Sequence, residues 1–162
     1  MRKKIIRLRA PRAGDMGRVV QLHGELYAKE FGYDATFEAL VAEIAAGFVR
    51  NFDARRERCW IAELDGDVVG SVFLVKQSIN KAKLRLLIVD PKARGRGLGR
   101  RLTRACIAFA RKKRYRKIVL WTQSHLSAAR AIYQAENFTL KSKEKHFSFG
   151  KRLVAETWEL RL

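Results

Sequence analysis

Alternation and helical periodicity divide the chain into eleven segments. Ile5-Ile6-Arg7-Leu8-Arg9 alternates apolar and charged positions, which predicts a first strand. Pro11 to Gly14 breaks that pattern, and Asp15 is a candidate cap for a helix carrying Val19, Leu22, Leu26 and Phe31, ended by Gly32. Thr36 is a candidate N-cap for a second helix, with Phe37, Leu40, Val41, Ile44, Phe48 and Phe52 on one face. The period then shortens. Cys59 to Leu64 predicts a strand, Asp65-Gly66 a hairpin turn, Val68 to Val75 the returning strand, and Ser78 to Lys81 a second turn. Lys83 to Val89 predicts a further strand, ended by Pro91. Leu98, Leu102, Ala105, Cys106 and Phe109 trace an amphipathic helix to about Lys113. Ile118 to Trp121 has the apolar run of a buried strand, and Ser127 to Glu136 predicts a short helix. Phe138 to Phe147 and Val154 to Leu160 predict closing strands joined through Gly150. The order is β-α-α-β-β-β-α-β-α-β-β. It implies an α/β (α+β) domain, with about four helices flanking a mixed, mostly antiparallel sheet of six to seven strands.

The length, 162 residues, fits a single domain spanning 1–162, and 48% apolar residues suffice for a core. Cys59 and Cys106 form no Cys-x-x-Cys pair and no zinc spacing, so buried free thiols and no metal are expected. No stretch approaches the ~20 apolar residues that cross a bilayer, and the basic start Met1-Arg2-Lys3-Lys4 leads into no signal-peptide apolar run. A cytoplasmic protein without membrane contact is expected.

Charge narrows the partners. Thirty-five Lys and Arg against 16 Asp and Glu give +19, which favours an anionic ligand. The cluster Arg111 to Lys117 keeps a nucleic-acid or ribosome-binding module open as an alternative. That alternative is not favoured, because no nucleic-acid motif accompanies the cluster and Tyr115 is its sole aromatic.

The chemistry concentrates where a strand meets Arg94-Gly95-Arg96-Gly97-Leu98-Gly99 and then a helix. A helix start offers free N–H groups and the positive end of the macrodipole, so a Gly-rich approach makes an anion cradle. Arg94, Arg96, Arg100, Arg101 and Arg104 are expected around it. Walker spacing is absent, because Arg100 and Arg101 follow the last glycine where Lys-Ser/Thr belongs. Dinucleotide spacing is also absent, because the glycines run Gly-x-Gly-x-Gly.

The run Leu86 to Leu102, with Val89-Asp90-Pro91 and then Arg94-Gly95-Arg96-Gly97-Leu98-Gly99, resembles the acetyl-CoA motif of the GNAT N-acetyltransferase superfamily. Ala129 to Phe138 resembles the family's Ala-x-x-x-Tyr-x-x-x-Gly-Phe element, and the order of elements agrees throughout. Cys59 to Gly66, Ser148 to Lys151 and Thr157 to Leu160 are similar to the acetyltransferase domain fused behind MarR-type regulators. No helix-turn-helix accompanies them, so a stand-alone domain or one domain of a longer product is expected.

The resemblance implies direct transfer of acetyl from acetyl-CoA to an amine acceptor, in a ternary complex and without metal. Its cofactor contacts would be the amides of Gly95, Arg96, Gly97, Leu98, Gly99 and Arg100, the Arg94 position, and the backbone of Leu87, Ile88 and Val89, where a bulge splays two parallel strands. A main-chain N–H near Val89 would face the thioester oxygen. Tyr133 matches the general acid. The usual strand Glu is missing, since Lys83 and Arg85 hold the charged positions and no carboxylate precedes Asp90. His125 is the candidate base, directly or through water, with His23 and Glu25 behind it; an amine arriving neutral needs none. Leu126 stands where many relatives have Asn, and Asn137 replaces the Gly before Phe138. The acceptor, from small amine to protein, stays open. So do a homodimer and a non-catalytic acetyl-CoA sensor.

Overall fold

The computed structural model describes residues 4–162, so the basic Met1, Arg2 and Lys3 lie outside it. In chain order the elements are β1 (Arg7–Arg9), α1 (Asp15–Phe31), α2 (Ala35–Arg50), β2 (Arg58–Leu64), β3 (Asp67–Lys76) and β4 (Lys81–Val89). After a 3-10 turn (Pro91–Ala93) come α3 (Leu98–Lys112), β5 (Lys117–Gln123), α4 (Ser127–Ala135), β6 (Thr139–Ser148) and β7 (Lys151–Arg161). The expected order and the seven-stranded mixed sheet are both found.

The sheet runs β1-β2-β3-β4-β5-β7-β6. Neighbours are antiparallel except β4 and β5, which are parallel. A central strand covered on both faces should be apolar throughout, and β3 is buried from Val68 to Leu74. Its Val69, Val72 and Leu74 join the larger core under α3, with Leu102, Cys106 and Ile118. Its Val68 and Phe73 face the other way, onto Val19 of α1 and Phe48 of α2. Cys59 and Cys106 are buried free thiols, as expected.

Four local expectations need correction. Ile5 lies outside β1 and is 71% exposed, so the first strand is shorter than its alternation suggests. Asp15 does not cap α1. It sits in the first turn and accepts from Arg9 Nη1 and Arg12 N, both at 2.6 Å, while Gly14 is the cap. Asp34, not Thr36, caps α2, its carboxylate accepting from Thr36 N at 3.0 Å. Phe52 falls beyond α2 and is half exposed.

Two features prepare a site. β4 and β5 pair only at Lys81–Lys117, Ala82–Ile118 and Lys83–Val119, then diverge. The cause is a bulge: Ser71 lies opposite Ile88 and Phe73 opposite Arg85, leaving Leu86 and Leu87 to fill the space of one residue. Leu86 adopts φ +50°, rare for a side chain of this size. The buried Ser71 hydroxyl braces the bulge by donating to Leu86 O at 3.0 Å.

Losing a buried hydrogen-bond donor costs ~1–3 kcal/mol. Ser71→Ala is therefore expected to lower unfolding free energy by about 1–2 kcal/mol in a urea titration followed by circular dichroism. An unchanged midpoint and slope would mean that the bulge stands without this bond.

Candidate active site

The divergence of β4 from β5 opens a cavity of about 560 Å³ between Leu87–Val89, the start of α3, the start of α4 and the C-terminal turns of α1. Gly97 caps α3 in the left-handed conformation, φ +69°, which glycine adopts without strain. The first backbone donation after Arg94 is Arg101 N–H to Gly97 O at 3.0 Å. Among the described residues the N–H groups of Gly95 through Arg100 therefore have no backbone acceptor. Gly99 is needed for a second reason. A Cβ there would lie 2.7 Å from Ile132 Cδ1, so any larger residue would have to displace the end of that side chain.

Leu87, Ile88, Val89, Arg94, Gly95, Gly97, Leu98, Gly99, Arg100 and His125 all line this cavity. Arg96 departs from expectation. It does not line this cavity and borders instead a separate pocket with Ile6 and Arg101. Arg101 likewise turns away and donates to Ile6 O at 2.8 Å. Arg104 binds Glu136 at 2.8 Å, and Arg100 binds the same carboxylate. Burial raises the Glu136 pKa, but these two guanidiniums outweigh it and hold the carboxyl below its ordinary value. Arg94 Nη2 donates to Glu30 at 2.6 Å, and both side chains line the cavity.

A second, smaller cavity of about 160 Å³ adjoins the first beneath α1 and α2. The two share Tyr27, Leu87, Leu126 and Ala129. Tyr133 lines this smaller cavity, not the larger one. It is 4% exposed, packs on Phe138 and Trp158, and has no hydrogen-bond partner for its hydroxyl among the described residues. Burial, reinforced by Tyr27 and Cys106, pushes its pKa above the usual phenol value. The hydroxyl thus keeps its proton at neutral pH.

The three base candidates are not brought together. His125 Nε2 lies 2.6 Å from the Tyr33 hydroxyl. Burial chiefly, and Lys151 next, lower the His125 pKa, while burial raises that of Tyr33. With His125 neutral and its Nε2 unprotonated, the Tyr33 hydroxyl donates along this contact. His23 is fully buried in the wall of the smaller cavity, with Nδ1 2.8 Å from Val19 O. Burial lowers its pKa to about 4. Glu25 is exposed, accepts from Gln21 and reaches neither cavity. Asn137 takes the left-handed conformation, φ +67°, in place of glycine.

The sequence did not single out Tyr27, Tyr33 or Gln123, all in the smaller cavity. Gln123 Oε1 accepts from His146 Nε2 at 2.9 Å, so its amide donor remains available. The basic cluster at the end of α3 offers no stacking surface. Tyr115 is 3% exposed, donates to Arg56 O at 2.9 Å and lies under the Arg56 guanidinium.

Comparison with known proteins follows this geometry. The family model described as acetyltransferase (GNAT) family matches residues 23–138. The N-acetylaspartate synthetase of Rattus norvegicus is 33% identical over 89 residues, 54% of this chain and 30% of that protein. The human N-acetyltransferase 8 is 31% identical over 112 residues, 65% of this chain and 49% of that protein. The chain thus spans less than half the length of these two relatives. Among solved structures, yncA of Salmonella typhimurium, with its cofactor acetyl-CoA, superposes at TM-score 0.76. It is 16% identical, over 96% of this chain and 93% of that one, a likeness of fold.

His23 also sets a pH dependence. Its folded pKa lies below the unfolded value of ~6.5, so the unfolded chain takes up the proton first and stability falls as pH falls from about 6.5 toward 4. The loss from this group is on the order of 3 kcal/mol. His23→Asn, which keeps a donor for Val19 O, should flatten that limb in urea titrations between pH 7 and 4. A variant as acid-sensitive as the parent would remove His23 as the cause.

Proposed function

The chain belongs to the acetyltransferase (GNAT) family, and we propose that it moves the acetyl group of acetyl-CoA directly onto an amine. The observation that carries this is the run of six amides, Gly95 to Arg100, with no backbone acceptor among the described residues, at the mouth of the larger cavity. The free N–H groups and dipole of a helix start suit the pyrophosphate of coenzyme A. Beyond Lys83, the edge of β4 facing β5 is unpaired and suits the pantetheine arm as an added strand.

In the proposed reaction the amine nitrogen attacks the thioester carbonyl carbon, and backbone N–H near Val89 stabilises the oxyanion. The C–S bond then breaks, and Tyr133 gives its proton to the departing sulfur. Its hydroxyl has no hydrogen-bond partner among the described residues and borders the smaller cavity, which leaves it free for this role. His125 is the proposed base, acting through Tyr33. The amine proton passes to the Tyr33 oxygen as the Tyr33 proton passes to His125 Nε2, along the 2.6 Å bond already formed. Products are the N-acetyl amine and coenzyme A thiol.

General acid catalysis contributes ~10²–10⁴-fold. Tyr133→Phe is expected to lower kcat by about 10²-fold or more, with coenzyme A affinity unchanged by calorimetry. Gly99→Glu, which fills the α3–α4 contact and adds negative charge at the cradle, should abolish coenzyme A binding. Wild-type protein that binds no coenzyme A, or Tyr133→Phe turning over like the parent, would overturn the proposal.

A further inference from the structure

We infer that Lys83 and Arg85 form an anion subsite in the smaller cavity, and that the acceptor is a small primary amine carrying a carboxylate, such as a free amino acid. This rests on the transferase proposal and names its acceptor class.

The two cations are two residues apart on β4, so both side chains leave the same face, ~7 Å apart. Both line the smaller cavity, and both are half-buried. Neither has a carboxylate within 4.0 Å among the described residues, and no Asp or Glu lines that cavity. Arg85 also borders a shallow cavity containing Glu43 and Glu57. Glu57 is engaged elsewhere, its two oxygens accepting from the backbone of Asp53 and Lys76.

The contrast with the cofactor side is sharp. There Arg94 is paired with Glu30, and Arg100 and Arg104 with Glu136. Two half-buried like charges with no counter-ion among the described residues repel one another, and an ionised carboxylate between them offsets that cost. Burial lowers the pKa of both groups, with Arg85 adding to the effect on Lys83. Gln123, oriented by His146, supplies a neutral donor nearby.

Size sets the rest. About 160 Å³ lies below the ~300–1,000 Å³ of sites for drug-sized ligands. An amino acid fits such a space. Tyr27, Phe37 and Trp121 give it an apolar wall for the body of the acceptor.

The test uses the twenty common L-amino acids, each beside its amide and its decarboxylated amine. Acetyl-CoA is the donor and coenzyme A thiol release is followed. At least one amino acid should be acetylated, with kcat/KM at least about tenfold above that of its amide, the scale of a lost charged hydrogen bond. Lys83→Gln and Arg85→Gln should each raise KM for the acid and abolish its advantage over the amide. Coenzyme A affinity by calorimetry should stay within about twofold. Lys83→Arg, which keeps the charge, should keep the preference. An amide as good as the acid overturns the inference, as do variants that discriminate like the parent. So does acetyl-CoA binding without turnover of any amino acid, including where an oligopeptide or a carboxylate-free amine is acetylated instead. Failure to bind acetyl-CoA at all sinks the transferase proposal itself and is read separately, by calorimetry.

Discussion

Six backbone amides in a row, Gly95 to Arg100, that lack a backbone acceptor among the described residues are the constraint on which the site depends. A helix must leave its first N–H groups unpaired, and proteins usually answer with a Ser, Thr, Asp or Asn side chain. Here the cap is Gly97 and no side chain intervenes. The neighbouring elements keep that gap open. Gly99 lets α3 lie against Ile132 of α4, so the helix start is held at the cavity mouth. The nearest guanidiniums are occupied by Glu30 and Glu136. What remains at the start of α3 is a set of fixed backbone dipoles.

The bulge at Leu86 supplies the second half of the arrangement. The bulge bends β4 and increases its twist, so β4 and β5 part beyond Lys83 and cavities open beside the gap. Their chemistry differs. The larger cavity is bounded by compensated charges. The smaller one depends on desolvation, which keeps His23 neutral and the Tyr27 hydroxyl protonated, with the latter's pKa pushed up to about 12 by burial and then by Glu30. Burial in such surroundings favours the uncharged form of any ionisable group placed there.

Much of this was legible in the sequence, for identifiable reasons. Long periodic segments such as α3 and the β6–β7 hairpin came through because their periods are strong and Gly150 marks the turn. The Gly-rich cradle is contiguous, so its spacing could be weighed directly. The caps of α1 and α2 were less legible. Asp34 and Thr36 are both competent acceptors two residues apart, and Asp15 was drawn away by Arg9, a tertiary contact. Arg96 and Arg101 were placed at the cradle by proximity alone, whereas both border a separate pocket with Ile6. Tyr33 and His125 are 92 positions apart, and no local signal joins them. The direction of Lys83 and Arg85 could not be fixed either, because it depends on where the bulge falls.

The outermost strands of the sheet have a consequence for how the molecule meets its own copies. β1 is three residues long with arginine at both ends, and β6 presents Lys141, Lys143 and Lys145 along its length. Short or lysine-rich rims repel an incoming strand, so the seven-stranded sheet is closed to runaway edge-to-edge stacking. Among the described residues, the backbone of β4 beyond Lys83 is left open toward β5, inside the sheet and away from these guarded rims.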